Sequence, residues 1–241
     1  MGMIKTKGEI KLLKKSAQIA DSCLKVISDS LKENITEKEL RRRVYRKIRS
    51  QNATLAFQTL VASGTRTSMI HPKPHATDKV IKGIGYIDFG ASYKGYKSDV
   101  TVPFIKGKIS SMEKKILDVT LKAYEVSVNS LRLNQPCWKS FEKANACSKK
   151  NGYRLGHSLG HGLGLKIHEN PIIVMPRKKK LTRKGRLLWE KIKKINFQKN
   201  MVFTIEPGIY AKGLCGCRIE NDFLMTDKGP KALTHVRLVE V

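Results

Sequence analysis

Five residues could carry chemistry in this chain: Asp88, Asp99, His161, Glu206 and Glu220. Four carboxylates and one imidazole make the ligand set that two hard-to-borderline divalent cations need to share a site and hold a water between them. The contexts are apolar or glycine-rich, as in Tyr86-Ile87-Asp88-Phe89-Gly90 and Thr204-Ile205-Glu206-Pro207-Gly208. Carboxylates in such settings are costly to bury unless positive charge sits among them. A lone buried Asp in a strand is more often a hydrogen-bonding residue; the joint occurrence points to metal. Carboxylate and imidazole ligands together suit Mn²⁺, Co²⁺, Zn²⁺ or Fe²⁺. With no thiolate in the set, a structural zinc site is not expected.

The surrounding elements must bring these residues together. Residues 8–32 place Ile10, Leu13, Ala17, Ala20, Leu24, Ile27 and Leu31 at helical spacing, which predicts an amphipathic helix. Thr36-Glu37-Lys38-Glu39 resembles a capping box and opens a second helix running to about Ser50. Residues 57–63 suit a short strand, and Gly64 to Asp78 reads as a loop rich in Thr, His and Pro. Residues 84–91 and 94–105 read as a hairpin turning near Ser92-Tyr93-Lys94. The hairpin puts Asp88 and Asp99 on paired strands, whose side chains can meet on one face. Helices follow over 111–132 and 138–150, then a glycine-rich stretch from Gly152 to Gly164. Met201–Ile205 and Gly216–Met225 read as strands, with a Pro207-Gly208 turn after the first. The order is α+β. A helix pair followed by strands recurs in the two halves, which hints at duplication.

Bulk composition narrows the setting. The 241 residues can bury a substantial core, and hydrophobic content of 40% fits a globular protein. There is no run of about eighteen apolar residues, so no membrane-spanning helix is expected. The start, Met1-Gly2-Met3-Ile4-Lys5, has no apolar signal core. Five scattered cysteines match no zinc knuckle or redox pair, and a reducing cytoplasm is the simplest reading. Cys215-Gly216-Cys217 reads as small residues in a tight turn entering a strand.

The net charge of +28 bears on partners rather than fold. Arg41, Arg42, Arg43, Arg46, Lys47 and Arg49 crowd one helical stretch, and residues 177–199 hold eleven Lys or Arg against one acid, Glu190. A solvated surface accounts for such runs; contact with nucleic acid or the ribosome is the functional alternative. Only Trp189 and Phe197 interleave the second run, so base stacking has little support there.

Three segments together carry a family resemblance. They are His157-Ser-Leu-Gly-His161-Gly-Leu-Gly-Leu-Lys-Ile-His168-Glu-Asn-Pro171, Thr204-Ile-Glu206-Pro-Gly-Ile-Tyr210 and Arg218-Ile-Glu220. From about residue 8 to 239 the chain resembles the catalytic domain of the pita-bread metallopeptidases, which include Xaa-Pro dipeptidase, aminopeptidase P and methionine aminopeptidase. The short interval between Glu206 and Glu220 favours the Xaa-Pro-cleaving branch. The resemblance implies a pseudo-symmetric antiparallel sheet with flanking helices, and residues 1–241 as one catalytic domain with a basic insertion at about 177–197. It implies two divalent cations, with Asp88 on one, His161 and Glu206 on the other, and Asp99 and Glu220 bridging. Glu206 would also shuttle the proton from water to the leaving amine. His168 would stabilise the oxyanion. His71 would contact substrate and His157 would line the pocket.

Departures from the family pattern loosen the substrate. The additional N-terminal domain of Xaa-Pro-cleaving members is not expected in this sequence. Ile172 stands where the family often has an arginine after the His-Glu-x-Pro motif. From residue 185 the basic insertion could form a short helix with Leu187, Leu188, Ile192 and Ile195 on one side. The expected function is a dinuclear metal-dependent exopeptidase that removes the N-terminal residue from short peptides, with proline second. The alternative is a nucleic-acid-binding protein on a peptidase fold with weak or no peptidase activity.

Overall fold

Two helix pairs and two larger, mainly antiparallel sheets, with two smaller sheets beside them, make up the architecture among the described residues. The computed structural model describes residues 2–175 and 182–241. The first half opens with α1 (Lys7–Leu31) and α2 (Glu37–Arg49). Both begin on a threonine cap, Thr6 and Thr36, whose hydroxyl accepts an N–H three residues on. The strands β1 (Thr54–Leu55), β2 (Leu60–Ser63), β3 (Gly83–Phe89), β4 (Ala91–Tyr93), β5 (Tyr96–Lys97) and β6 (Val100–Lys106) follow. The second half repeats the plan with α3 (Ser111–Ser130) and α4 (Trp138–Lys150), then β7 (Gly160–Gly162) and β8 (Glu169–Ile173). It continues with α5 (Arg183–Ile192), β9 (Val202–Ile205), β10 (Gly208–Ala211), β11 (Cys215–Arg218), β12 (Asn221–Thr226), β13 (Gly229–Ala232) and β14 (Val239–Glu240).

One sheet runs β14-β6-β3-β2 and the other β13-β12-β9-β7-β8. Pairing is antiparallel except where β14 lies parallel to β6. A bridge between Thr101 and Glu220 joins the halves at the point where the acids meet. The first core packs Ile27, Leu40, Val44, Ile87 and Val102 beneath α1 and α2. The second packs Phe197, Phe203 and Phe223 against α3 and α4, with the Phe203 and Phe223 rings stacked.

The hairpin read from the sequence exists, with an interruption that matters. β3 and β6 pair from Gly83↔Lys106 to Phe89↔Val100, then the chain leaves the ladder at Gly90 and Ser98-Asp99 to build the smaller β4–β5 turn. Gly90 is required at this exit: a Cβ there would lie 2.0 Å from the Ser98 carbonyl oxygen. The expected strand at 57–63 is shorter, beginning at Leu60, and residues 84–91 and 94–105 resolve into four strands rather than two.

Glu37 fixes the loop that follows β2. Its carboxylate is fully buried, yet it accepts from the backbone N–H and hydroxyl of Ser63, the backbone N–H and hydroxyl of Thr77, and Arg66 Nε. A buried charge so surrounded holds both ends of the 63–77 segment to the start of α2. Thr36-Glu37-Lys38-Glu39 therefore does two jobs, of which the sequence revealed only the cap.

The basic stretch expected at 177–197 is described from residue 182 onward; its part at 177–181 lies outside the described residues. The short helix is α5, but its apolar side is only half covered. Ile192 is buried and Ile195 half-buried, whereas Leu187 and Leu188 are 60% and 57% exposed. Trp189 turns instead toward Trp138, edge to face at 6.0 Å. Cys215 and Cys217 lie buried in β11, where burial raises their thiols to about 11 and about 12 and leaves no reactive thiolate.

Candidate metal centre

The two halves deliver the acids to a common cleft of about 340 Å³. β3 carries Asp88, and Asp99 stands at the entry to β6. β7 carries His161, Glu206 follows β9, and Glu220 occupies the step between β11 and β12. All five line the cleft. Gly160 makes the position of His161 possible, because a Cβ there would sit 2.0 Å from the Thr204 carbonyl oxygen.

Asp99, His161 and Glu220 each offer a ligand atom within 4.8 Å of the other two, and all three are buried. Glu206 completes the group: its Oε1 lies 3.5 Å from His161 Nε2, which is also 3.6 Å from Asp99 Oδ2. These separations are too long for hydrogen bonds and leave room for a cation. His161 Nδ1 faces the Gly162 carbonyl at 3.2 Å, so it carries the proton and Nε2 presents its lone pair to the carboxylates.

Arg218 organises the opposite wall, and the sequence reading did not single it out. Its side chain is 2% exposed. It ion-pairs with Asp88, donates from Nη1 to the Tyr210 hydroxyl at 2.6 Å, and donates from Nε to Thr101 Oγ1 at 3.0 Å. Thr101 in turn donates its hydroxyl to Glu220 Oε2 at 2.8 Å. The relay from Arg218 through Thr101 consumes one oxygen of Glu220 and leaves Oε1 buried with no partner. A signal existed: Arg218, Glu220 and Asp222 alternate, so an extended chain sets all three on one face. Asp222 caps the other side, accepting the Asp99 backbone N–H at 3.2 and 3.3 Å.

The histidines divide by their engagement. His157 is held at both nitrogens: Nδ1 donates to the Ser158 carbonyl at 2.8 Å and Nε2 accepts from Tyr210 at 3.0 Å. It reaches the cleft as a wired ring rather than a free donor. His168 is exposed, its centroid 4.2 Å from that of His161 at 74°. The neighbouring Glu169 is pinned by the buried Lys5 Nζ at 2.7 Å. His71 stands exposed at the mouth, on a loop whose Ile70 carbonyl lies 3.4 Å from Arg218 Nη1. Partial desolvation by the cleft wall, with the Arg218 charge added, holds the His71 pKa below its ordinary value. His75 also lines the cleft, and the sequence reading passed over it.

The electrostatics ask for cations. Burial raises Asp99 and Glu206 well above the ordinary carboxylate range, and the Glu220 charge adds to both. Burial and the Asp88 charge raise Glu220 to about 8. Burial lowers His161 to about 3, which keeps it neutral as a ligand must be. An orphaned carboxylate oxygen, mutually repelling acids and a neutral imidazole aimed at them fit divalent metal and fit little else.

A test follows from these shifts. Folded Glu220 keeps its proton to about pH 8, whereas an unfolded glutamate loses it near 4.5. Over that window the folded chain binds more protons, so metal-free stability falls as pH rises. His157 and His161 act in the opposite sense, since both drop from 6.5 to about 3 on folding and destabilise the fold as pH falls below 6.5. From pH 6.5 to about 8 the carboxylate effect stands alone. The chelated protein should lose up to about 1.4 kcal/mol per pH unit for each retained proton. Melting temperature against pH measures it, and added Mn²⁺ should remove the fall because the cation displaces those protons. A flat metal-free profile would contradict the electrostatics described.

Comparison with known proteins agrees with this geometry. The model of metallopeptidase family M24 matches residues 11–227. An uncharacterised peptidase of Bacillus subtilis, YqhT, is 34% identical over 238 residues, covering 97% of this chain and 62% of that protein. An Xaa-Pro dipeptidase of Pyrococcus furiosus is 32% identical over 240 residues, covering 96% of this chain and 63% of that protein. Among solved structures, an X-Pro aminopeptidase from Thermotoga maritima superposes with a TM-score of 0.85 at 32% identity, over 99% of this chain and 65% of that one. Prolidase from Pyrococcus furiosus gives 0.85 at 33%, over 98% and 66%. The pita-bread fold expected from the sequence is therefore the fold of this chain. The chain spans about 62–63% of the length of the curated relatives it matches.

Proposed function

The chain belongs to metallopeptidase family M24, and from that premise we propose that it is a dinuclear metal-dependent exopeptidase that releases the N-terminal residue from Xaa-Pro peptides. The observation that carries this reading is the buried group of Asp99, His161 and Glu220 with Glu206 beside it. Residues 1–241 serve as one catalytic unit, with Asp88, Asp99, His161, Glu206 and Glu220 as the ligands. Two divalent cations, when bound, would acidify a water held between them.

The chain's own residues do the rest. Asp99 and Glu220, 5% and 2% exposed, would hold the cations from deep in the cleft. His161 stays neutral and binds through Nε2. Glu206 is the less enclosed of the two acids facing His161, with 12% of its side chain exposed against 7% for Asp99. It takes the proton of the attacking water and passes it to the leaving nitrogen. A proline nitrogen has no N–H and must receive that proton to leave. His168 donates to the oxygen that gains negative charge, and His71 positions the peptide at the mouth. His157 and Tyr210, wired to Arg218, hold the floor on which Glu206 rests. Digestion of a peptide library by manganese- or cobalt-loaded protein, with products identified by mass spectrometry, tests the reading. Cuts one residue from the N-terminus and before proline are expected; internal cuts only would overturn it.

A nucleic-acid contact is a second reading that one surface favours. Lys7, Lys11, Lys14, Lys15 and Lys94 line a groove of about 1010 Å³ beside α1, and no acid pairs with them among the described residues. On α2, Arg42 and Arg43 are less available: Arg42 pairs with Glu39 at 2.6 Å and Arg43 with Glu33 at 2.7 Å. Replacing Lys11, Lys14 and Lys15 with Glu should weaken binding of a single-stranded RNA at least about tenfold at low salt and lower the salt slope by about two. The same reversal of Lys143, Lys149 and Lys150 on α4 should do far less. Equal losses from both variants would reduce the effect to net charge.

A further inference from the structure

We propose that the cleft takes peptides of three or more residues in preference to dipeptides, and that His75 holds the substrate backbone beyond the scissile bond. The inference rests on the exopeptidase reading and specifies its substrate class.

A dipeptide carries its free carboxylate one residue from the bond to be cut. A cleft that selects dipeptides needs a free cation at that distance. Among the described residues that line the cleft, Arg218 is the only Lys or Arg, and its guanidinium is already committed to Asp88, Tyr210 and Thr101. Although Arg218 lines the cleft, only 2% of it is exposed. The wall beyond is apolar, with Phe57, Leu60, Ile70, Ile167 and Ile172. A second carboxylate placed beside the four acids would find no free Lys or Arg there among the described residues. An internal peptide carbonyl asks less, needing one neutral donor.

His75 supplies that donor. Its Nδ1 is buried and has no hydrogen-bond partner. An unpartnered ring nitrogen is better left as a lone pair than as an N–H, which places the proton of the neutral ring on Nε2. His75 lines the cleft, and with Nδ1 buried Nε2–H is the one donor left to its ring. The backbone is firmly held: Val61 N–H donates to the His75 carbonyl at 2.7 Å, and Arg66 donates to the Pro74 carbonyl at 2.6 Å.

The test compares Ala-Pro, Ala-Pro-amide and Ala-Pro-Ala on the manganese-loaded protein. The amide and the tripeptide should each exceed the free dipeptide in kcat/KM by about tenfold or more. His75→Ala should raise KM for the tripeptide about tenfold with kcat little changed, and leave the dipeptide unaffected. His75→Gln, which keeps an N–H at the end of the side chain, should recover most of the loss. A dipeptide cleaved as well as or better than the other two overturns the substrate class. An equal loss on all three peptides in His75→Ala overturns the role of His75. If no peptide is cleaved, the exopeptidase reading fails; calorimetric binding of the same three ligands then decides the inference. Tighter binding of the amide and tripeptide supports it, and tighter binding of the free dipeptide overturns it.

Discussion

Glu206→Gln should lower kcat on an Xaa-Pro peptide by about 10³-fold while leaving the chain folded. The substitution keeps size and hydrogen-bonding capacity but removes the group that accepts the water proton. Structure around it should survive. Glu206 faces His161 and His157 at 3.5 and 3.6 Å rather than anchoring either by a hydrogen bond, and its side chain is 12% exposed. Removing a buried carboxylate whose pKa is raised by burial and by Glu220 should make the metal-free protein slightly more stable, not less. Two readouts thus move in opposite directions, which a merely structural residue would not produce. Initial rates at saturating peptide with metal content measured beside them check the first, and thermal melts in chelator check the second.

Arg218→Met should cost the metal-free protein about 3–5 kcal/mol, because it strands a buried charge rather than removing a pair. Asp88 loses its partner, the Tyr210 hydroxyl loses its donor, and Thr101 loses the donor that orients its hydroxyl toward Glu220. The damage should reach the metal through Glu220, whose Oε1 is left open only while Oε2 is occupied by Thr101. Denaturant unfolding gives the stability change, and metal titration gives the loss of affinity. The double variant Arg218→Met with Asp88→Asn should be less destabilised than the sum of the singles, since the stranded charge is gone. Additive losses would show that Arg218 acts by packing alone.

Legibility from the sequence was uneven, for reasons that can be named. Helices α1 to α4 were readable because apolar spacing and tertiary burial agree over long segments, helped by Thr6, Thr36 and Ser110 caps on the first three. The β4–β5 excursion was not, because its cause is a close approach of Gly90 to Ser98 across the hairpin, which spacing cannot encode. The four acids and the imidazole were found because each stands in a distinctive run. Arg218 stood in the same run as Glu220 and was passed over, since its importance depends on Thr101 and Asp88 from the other half of the chain. Glu37 was read as part of a cap because nothing near it in sequence announces Ser63, Arg66 and Thr77 as partners. The apolar side expected for α5 grouped Leu187 and Leu188 with Ile192 and Ile195, and the core accepts only the end of that helix near Ile192.

The central claim is that Asp99, His161, Glu206 and Glu220, with Asp88, form a two-cation peptidase site. The most direct measurement is release of the N-terminal residue from an Xaa-Pro peptide by chelated protein as Mn²⁺ is restored in measured equivalents. The expected result is no release without metal, and a rate that rises to its plateau at two bound ions per chain. No release at any loading, with both ions shown to be bound, would contradict it.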